Sequence, residues 1–447
     1  NNLLDENQIQ FLLEEFRKEL TDEGDIYATI AYDACTVDPV NSYDSNLFVF
    51  NAQPLKGTIR SKICQLSLNS TGRTDNSIKS IVQKIVEAGE KSQIHFLFVG
   101  TDGETGTNKI HSDFNKFIND LNTSDFDVIV DHVHEYSELI PISDWYHIIK
   151  DIRSRFSNNN ISMFKGAPIF NAQQINEILN LDTLVITASG QSSMRDDLAL
   201  ILFCSQNLEI LAEHNESCAF AFLFPFTLVT IAIQSETLTT NSRYILIKIA
   251  FNVFTNLRQN AQGLRSKRSK KSPDVAVRFA LENSCKRILN TLVALGYAMK
   301  YFNDNLAISR LFTHTVEYIF GYMRRLCYGK DKSDVAIKAL AKQQISREIL
   351  SKYNLDSIHI RGRIAASEDN INDLTSGWNM ELCEIEYDII HEEIILLMEN
   401  EVSFEETEIS KLLYFIHENT PSIIPSLNTR KRKGDAIHSR QIAYNKK

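Results

Sequence analysis

Three acidic side chains stand where the residue pattern predicts strand ends or a helix edge. Asp33 closes a β-branched and aromatic stretch, Asp102 directly follows a second apolar stretch, and Glu317 lies beside the apolar stripe of an amphipathic helix. An acid among strand formers is costly unless it is paired, exposed or bound to a metal. If the two strands are neighbours, the carboxylates of Asp33 and Asp102 lie side by side, where a divalent cation would neutralise them. The pattern predicts a divalent-metal site with Glu317 as its third acid.

Each of these acids also has a simpler interpretation. Asp33 fits an exposed or hydrogen-bonded carboxylate at the end of a strand. Asp102 precedes Gly103, and an Asp-Gly pair favours a tight turn. Glu317 fits a surface glutamate that is paired with a nearby basic side chain. At the level of the sequence these alternatives stay open.

The elements that must position the acids follow a definite order, β-β-β-α-β-α-β. A ribonuclease-H-like fold requires this order, because an antiparallel meander is followed by crossovers that place the fourth and fifth strands parallel to the first. Helical patterns dominate from about Ser143 onward. The predicted strands cover residues 25–37, 46–50, 62–68, 93–100 and 126–131, and the two predicted helices are centred on residues 78–86 and 110–121.

Composition limits the class of protein. The 447 residues carry a net charge of -10 and are 43% hydrophobic, which is typical of a globular chain of two to four domains. Seven cysteines without a C-x-x-C pair argue against a disulfide scaffold or a zinc ribbon and predict free thiols in a reducing, intracellular compartment. The longest apolar run, 218–233, contains Pro225 and is shorter than the roughly 20 residues of a membrane span, so we expect a buried core segment and no membrane contact.

Two segments of this acidic chain are locally basic. Residues 256–271 contain six Lys and Arg side chains and no acid, and residues 430–433 are four consecutive basic residues. Such runs bind phosphates, act as nuclear import signals or form solvated tails, and the sequence leaves these alternatives open.

Four stretches, in order along the chain, resemble motifs of the P-element-type, THAP-related DDE transposases. Residues 30–37 resemble the first-strand Asp motif, and residues 101–108 (TDGETGTN) resemble the Asp-x-Gly-x-x-x-Asn motif after the fourth strand. Residues 144–153 (DWYHIIKDIR) are similar to the family's Asp-x-x-His helix, and residues 315–325 (TVEYIFGYMRR) to its Glu-x-x-Phe-x-x-x-Arg helix. The chain departs from the family at Phe312-Thr313-His314, where Ser-Gln-Asp is usual.

The resemblance implies an α/β ribonuclease-H-like core with a mixed five-stranded sheet, a large all-α insertion and a mostly helical C-terminal half. The long interval between Asp102 and Glu317 leaves room for that insertion. The implied domains are an N-terminal helix (1–25), the first part of the core (26–158), the helical insertion (159–300), the core segment with the catalytic Glu (301–353), and a helical, acidic region with a basic tail (354–447).

The same resemblance implies a nuclear DNA transposase that uses two Mg²⁺ or Mn²⁺ ions for DNA cleavage and strand transfer. Its partners would be transposon ends and target DNA, bound by a homo-oligomer, and the insertion would bind GTP. The alternative is a domesticated, catalytically inactive DNA-binding or protein-interaction module. The predicted catalytic and metal-binding residues are Asp33, Asp102 and Glu317, the structural motif is Asp144, His147 and Lys150, and the DNA contacts are Lys150, Arg153, Arg265, Arg268, Arg324 and Arg325.

Overall fold

A single mixed sheet of five strands organises the N-terminal part of the protein. The computed structural model describes residues 6–19, 26–37, 45–55, 62–69, 75–102, 108–158, 161, 163, 170–187, 195–235, 237–260, 285–302, 306–313, 316–317, 319–320, 385–399 and 401–419. The strands are β1 (Ile26–Val37), β2 (Ser45–Pro54), β3 (Lys62–Asn69), β4 (Ile94–Thr101) and β5 (Ile140–Ser143).

The strand order in the sheet is β3-β2-β1-β4-β5. β1 pairs antiparallel with β2, and β2 with β3, whereas β4 is parallel to β1 and β5 is parallel to β4. The expected meander followed by two parallel strands is therefore confirmed. Alternate residues of β1, from Ile26 to Tyr32, enter the core on one face of the sheet. The two-residue period places Asp33 on the opposite face.

The prediction for the fifth strand was wrong in its position. Residues 126–131 lie in a helix, Phe126–His132, and the strand comes later in the chain. The side chain of Asp125 accepts hydrogen bonds from the backbone N–H groups of Asp127 and Val128, which caps the start of the helix. Three apolar side chains then recur at helical spacing and are buried. The apolar run alone fits a strand or a helix, and the capping residue favours the helix.

Helices make up most of the remaining described chain, as the sequence pattern predicts. They are α1 (Glu6–Glu19), α2 (Asp75–Lys91), α3 (Asn108–Asp120), α4 (Phe126–His132), α5 (Trp145–Asn158), α6 (Ala172–Leu179), α7 (Thr183–Ile186), α8 (Asp196–Leu202), α9 (Ser205–Glu213), α10 (Ser217–Gln234), α11 (Thr240–Asn260), α12 (Cys285–Phe302), α13 (Ile390–Met398) and α14 (Glu408–Asn419).

The two faces of the sheet are covered differently. On the first face, α1 and α2 pack over the sheet and form a compact core with it. On the second face, α12 and residues 306–313 cover the strands, and this core continues without a break into α5, α10 and α11. The helices predicted as an insertion thus share one hydrophobic core with the sheet.

Helix α10 is apolar on all sides. Within the described part of the chain it is the one helix long and apolar enough to cross a membrane, and 83% of that window is buried inside the protein. It packs against α9, α11 and α13. This burial agrees with the core segment that the sequence predicts, because a helix that is hydrophobic all round needs cover on every face.

Residues 306–313, called the crossing segment below, run along the second face of the sheet. The Ala307 N–H donates to the Leu55 carbonyl at 2.9 Å, and Arg310 Nη1 donates to the Pro54 carbonyl at 2.9 Å. Farther along, Gln53 Nε2 donates to the Phe312 carbonyl at 3.3 Å. These bonds fix the direction in which the segment approaches the end of β1.

The crossing segment lies so close to β4 that only glycine fits beneath it. A Cβ atom on Gly100 would stand 2.7 Å from the backbone oxygen of Leu311. Since that oxygen belongs to the main chain, it can yield only if the segment moves.

We predict that Gly100→Ala lowers the free energy of unfolding by about 1–3 kcal/mol, because the added methyl group overpacks the contact between β4 and the crossing segment. Urea denaturation of the two proteins measures the difference. An unchanged unfolding midpoint would show that the crossing segment does not press on β4.

Candidate active site at the ends of three parallel strands

Three aspartates stand together at one edge of the sheet. Thr101 at the end of β4 is in register with Tyr32 of β1 on one side and with Ser143 of β5 on the other. Each of these three residues is followed by an aspartate: Asp33 lies within β1, and Asp102 and Asp144 lie just past the ends of β4 and β5. The carboxyl ends of parallel strands are where open α/β sheets bind ligands, so this edge is the candidate site.

Asp33 is in an unfavourable electrostatic position. Burial and the neighbouring charge of Asp102 raise the pKa of Asp33 to about 7, and the charge of Glu317 acts more weakly in the same direction. The backbone N–H of Ala34 donates to Asp33 Oδ1 at 2.6 Å and only partly offsets this. The predicted crowding of Asp33 and Asp102 is therefore present.

Asp144 is a buried and well-satisfied carboxylate. Its Oδ1 accepts from the backbone N–H groups of Tyr146 (2.9 Å) and His147 (3.3 Å), which caps the start of α5. Its Oδ2 accepts from both the backbone N–H (3.0 Å) and the hydroxyl (2.8 Å) of Thr313. Asp144 thus joins α5 to the end of the crossing segment.

Glu317 reaches the same edge through Thr313. The N–H of Glu317 donates to the Thr313 carbonyl at 3.1 Å, so Thr313 opens the helical turn that carries the glutamate. The carboxylate Oε1 of Glu317 lies 2.5 Å from His147 Nε2. Asp144, which caps α5, and His147, in its first turn, therefore bind this turn at two points, and we call these two contacts the two-point clamp.

The contact between His147 and Glu317 has the character of an ion pair. Burial disfavours a charged imidazole, yet the hydrogen bond to Glu317 and the charge of Asp144 raise the pKa of His147 to about 9. Burial likewise opposes ionisation of Glu317, but His147 lowers the pKa of Glu317 below its usual range. Near neutral pH we therefore expect an imidazolium paired with a carboxylate.

Within the described residues, no three His, Cys, Asp or Glu side chains form a group that could hold a metal ion. Asp33 and Asp102 influence each other's charge, whereas Glu317 is engaged by His147. The simpler interpretation of Glu317, pairing with a basic side chain, is thus met by His147 as the partner. All three acids nevertheless belong to one network of interacting charges at this edge.

The prediction that Lys150 and Arg153 are surface DNA contacts is corrected. Arg153 is fully buried, and its guanidinium donates to the carbonyl oxygens of Leu184 and Val185. Lys150 is 7% exposed and forms a 2.8 Å ion pair with Asp196. Both side chains lie on the inner face of α5, where they hold α7 and α8. The other four predicted DNA contacts, Arg265, Arg268, Arg324 and Arg325, lie outside the described residues.

One basic residue at the site was missed by the reasoning from sequence. Arg287 in the first turn of α12 donates from Nε to Ser143 Oγ at 3.3 Å, directly beside the aspartates. Burial lowers the pKa of Arg287, and the charge of Asp102 opposes that shift. The sequence signal that could have marked it is a basic residue in the first turn of an otherwise apolar helix, and the structure shows that this side chain is half-buried.

Comparison with models of known protein families and with curated proteins found no match to this chain. The geometry of the site must therefore carry the functional argument.

We predict that the apo protein loses stability as the pH rises from about 4 to 7 and that Asp33→Asn removes much of this loss. A raised native pKa means that folded Asp33 keeps a proton which the unfolded chain has already released, so unfolding becomes easier as the pH increases. The difference between the variant and the wild type should reach on the order of 2–4 kcal/mol at pH 8. Urea titrations in EDTA at several pH values measure it.

The control for this experiment is Asp120→Asn, at the exposed end of α3. It removes the same charge away from the site and should follow the wild-type pH dependence. If the free energy of unfolding changed with pH in the same way for the wild type and Asp33→Asn, the crowding of Asp33 and Asp102 would be contradicted.

We predict that Thr313→Val destabilises the protein by about 1.5–3 kcal/mol, because it removes a buried hydroxyl that donates to the carboxylate of Asp144. Thr313→Ser keeps the hydroxyl and should cost clearly less. Thermal or urea unfolding compares the two variants. Equal losses would mean that the methyl group of Thr313 stabilises the protein as much as its hydroxyl does, which would contradict the prediction.

Proposed function

We propose that this chain is a metal-dependent DNA polynucleotidyl transferase of the P-element transposase type, with Asp33, Asp102 and Glu317 as its catalytic acids. The observation that carries the proposal is the pairing of Asp33 and Asp102 on neighbouring parallel strands, in one charge network with Glu317. The strand order β3-β2-β1-β4-β5, with two parallel strands after an antiparallel meander, supports a ribonuclease-H-like core.

The donor chemistry at the strand ends fits a hard divalent cation. Asp33 and Asp102 offer carboxylate oxygens, which Mg²⁺ and Mn²⁺ prefer, and burial together with the neighbouring charge of Asp102 raises the pKa of Asp33. Two bound ions would supply Lewis-acid activation of the nucleophile and stabilisation of the leaving oxygen. Under this proposal Glu317 is the third ligand, and the two-point clamp holds it at the edge.

The residues of the chain have distinct tasks in this proposal. Asp33 would bind the ions from within β1 and Asp102 from the end of β4, and His147 orients the Glu317 carboxylate through Oε1. The reaction needs no covalent bond to the protein, since water or a DNA 3′-hydroxyl serves as the nucleophile. GTP binding by the helical region, assembly on DNA as a homo-oligomer and a nuclear location rest on the resemblance alone and are part of the proposal.

A second function has an observation in its favour. Glu317 is bound to His147, and the described residues contain no group of three ligands that could hold a metal. This arrangement suits a catalytically silent relative that keeps the fold for DNA binding or protein interaction. Fold and activity separate readily, so the two candidates must be distinguished by assay.

We predict that the full chain cleaves duplex DNA in Mg²⁺ or Mn²⁺ and that Asp33→Asn, Asp102→Asn and Glu317→Gln each lower the rate by at least about 100-fold. This is the size of effect seen when one preorganised electrostatic contact to the transition state is lost. End-labelled oligonucleotides resolved on denaturing gels measure the rate. Asp120→Asn is the matched control and should cleave as fast as the wild type.

Two results would overturn this assignment. Cleavage that persists in Asp33→Asn or Glu317→Gln would show that the acids are misassigned. Wild-type protein that binds DNA in Ca²⁺ but cleaves in neither Mg²⁺ nor Mn²⁺ would favour the silent module.

A further inference from the structure

Helix α12 returns to the carboxyl edge of the sheet and docks there through polar side chains of its first two turns. Arg287 Nε donates to Ser143 Oγ at 3.3 Å, and the Ser143 N–H donates to Thr291 Oγ1 at 3.0 Å. On the adjacent helix, the His111 carbonyl accepts from Asn290 Nδ2 at 2.9 Å. These bonds fix the start of α12 against β5 and α3.

The anchor of Arg287 is itself held in place. Ser143 Oγ lies 3.1 Å from His111 Nε2, and both side chains are buried. Burial lowers the pKa of His111 to about 3, so its ring is neutral and can accept from the serine hydroxyl. A chain of hydrogen bonds from Arg287 through Ser143 to His111 therefore sets the position of the guanidinium.

That position is beside the paired acids. Ser143 is in register with Thr101, so it lies one residue before the level of Asp102 and of Asp144. Of the guanidinium nitrogens of Arg287, only Nε has a hydrogen-bond partner among the described residues. The remaining N–H groups form a planar fork, which is the geometry that binds a phosphate through two oxygens.

We propose that Arg287 binds a backbone phosphate of DNA at the strand-end site. The inference rests on the proposed function for its ligand, because it takes DNA as the substrate, but it does not require that the protein cleaves. A cation held firmly next to the carboxylates would fix the position of a bound phosphate beside them. A long, mobile lysine on the surface would fix that position less well.

The experiment measures DNA binding by the full chain in Ca²⁺, by fluorescence anisotropy of a labelled duplex, over a series of salt concentrations. The logarithm of the binding constant falls with the logarithm of the salt concentration, and each phosphate contact makes this negative slope steeper by about one. Arg287→Met should make the slope shallower by about one and lower the affinity by about tenfold. Arg287→Lys should recover the slope but only part of the affinity, because a lysine is a point charge without the planar fork.

Lys286→Met is the matched control. Lys286 is the exposed neighbour of Arg287 on the same helix, so this variant removes the same charge one residue away from the site. It should keep the wild-type slope and affinity. If Arg287→Met fails to fold, as judged by circular dichroism, Arg287→Gln retains a donor for Ser143 and takes its place.

The outcomes separate this inference from the proposed enzyme activity. An unchanged slope and affinity in the neutral variants overturns the role of Arg287, as does an equal loss in Lys286→Met. If the wild type binds DNA, the Arg287 variants lose affinity as predicted and the wild type does not cleave, the role of Arg287 is supported and the transferase activity is rejected. Wild type that does not bind the duplex overturns both.

Discussion

A single buried carboxylate, that of Asp144, holds the candidate site together. Burying a charge is costly unless hydrogen bonds replace its water, and Asp144 meets that demand with two N–H groups of α5 and two donors from Thr313. Its own N–H donates to the Thr101 carbonyl at 2.7 Å. One residue thus joins β4, α5 and the turn that carries Glu317, and these three parts can only be moved together.

Two acids of different character lie close together at the site. Asp144 is surrounded by donors and serves as a brace, whereas Asp33 faces other negative charges and has a single backbone donor from Ala34 among its described hydrogen bonds. Such separation of environments is how proteins assign structural and reactive roles to side chains of one type. Glu317 lies between these extremes, since His147 compensates its charge.

Much of this arrangement follows from local sequence signals. The alternation of β1 and the apolar stretch of β4 place Asp33 beside the end of β4, where Asp102 follows, because the parallel register aligns Tyr32 with Thr101. Asp33 itself lies within β1, which continues to Val37. Residues 126–131 were misassigned because a helix cap outweighs an apolar run that suits either structure. Arg153 was misjudged and Arg287 was overlooked for a different reason: whether an arginine faces solvent, a carbonyl or a serine depends on segments far away in the sequence.

The crossing segment has a consequence for the order in which the protein assembles. It lies over β4 and is separated from it by some two hundred residues of chain, most of them in helices that share its core. On a ribosome that adds roughly 5–20 residues per second, the five strands are complete roughly 9–35 seconds before Glu317 is added. During that interval the acids of the sheet lack their final neighbours, so the nascent chain carries an open and unfinished edge that later synthesis must close.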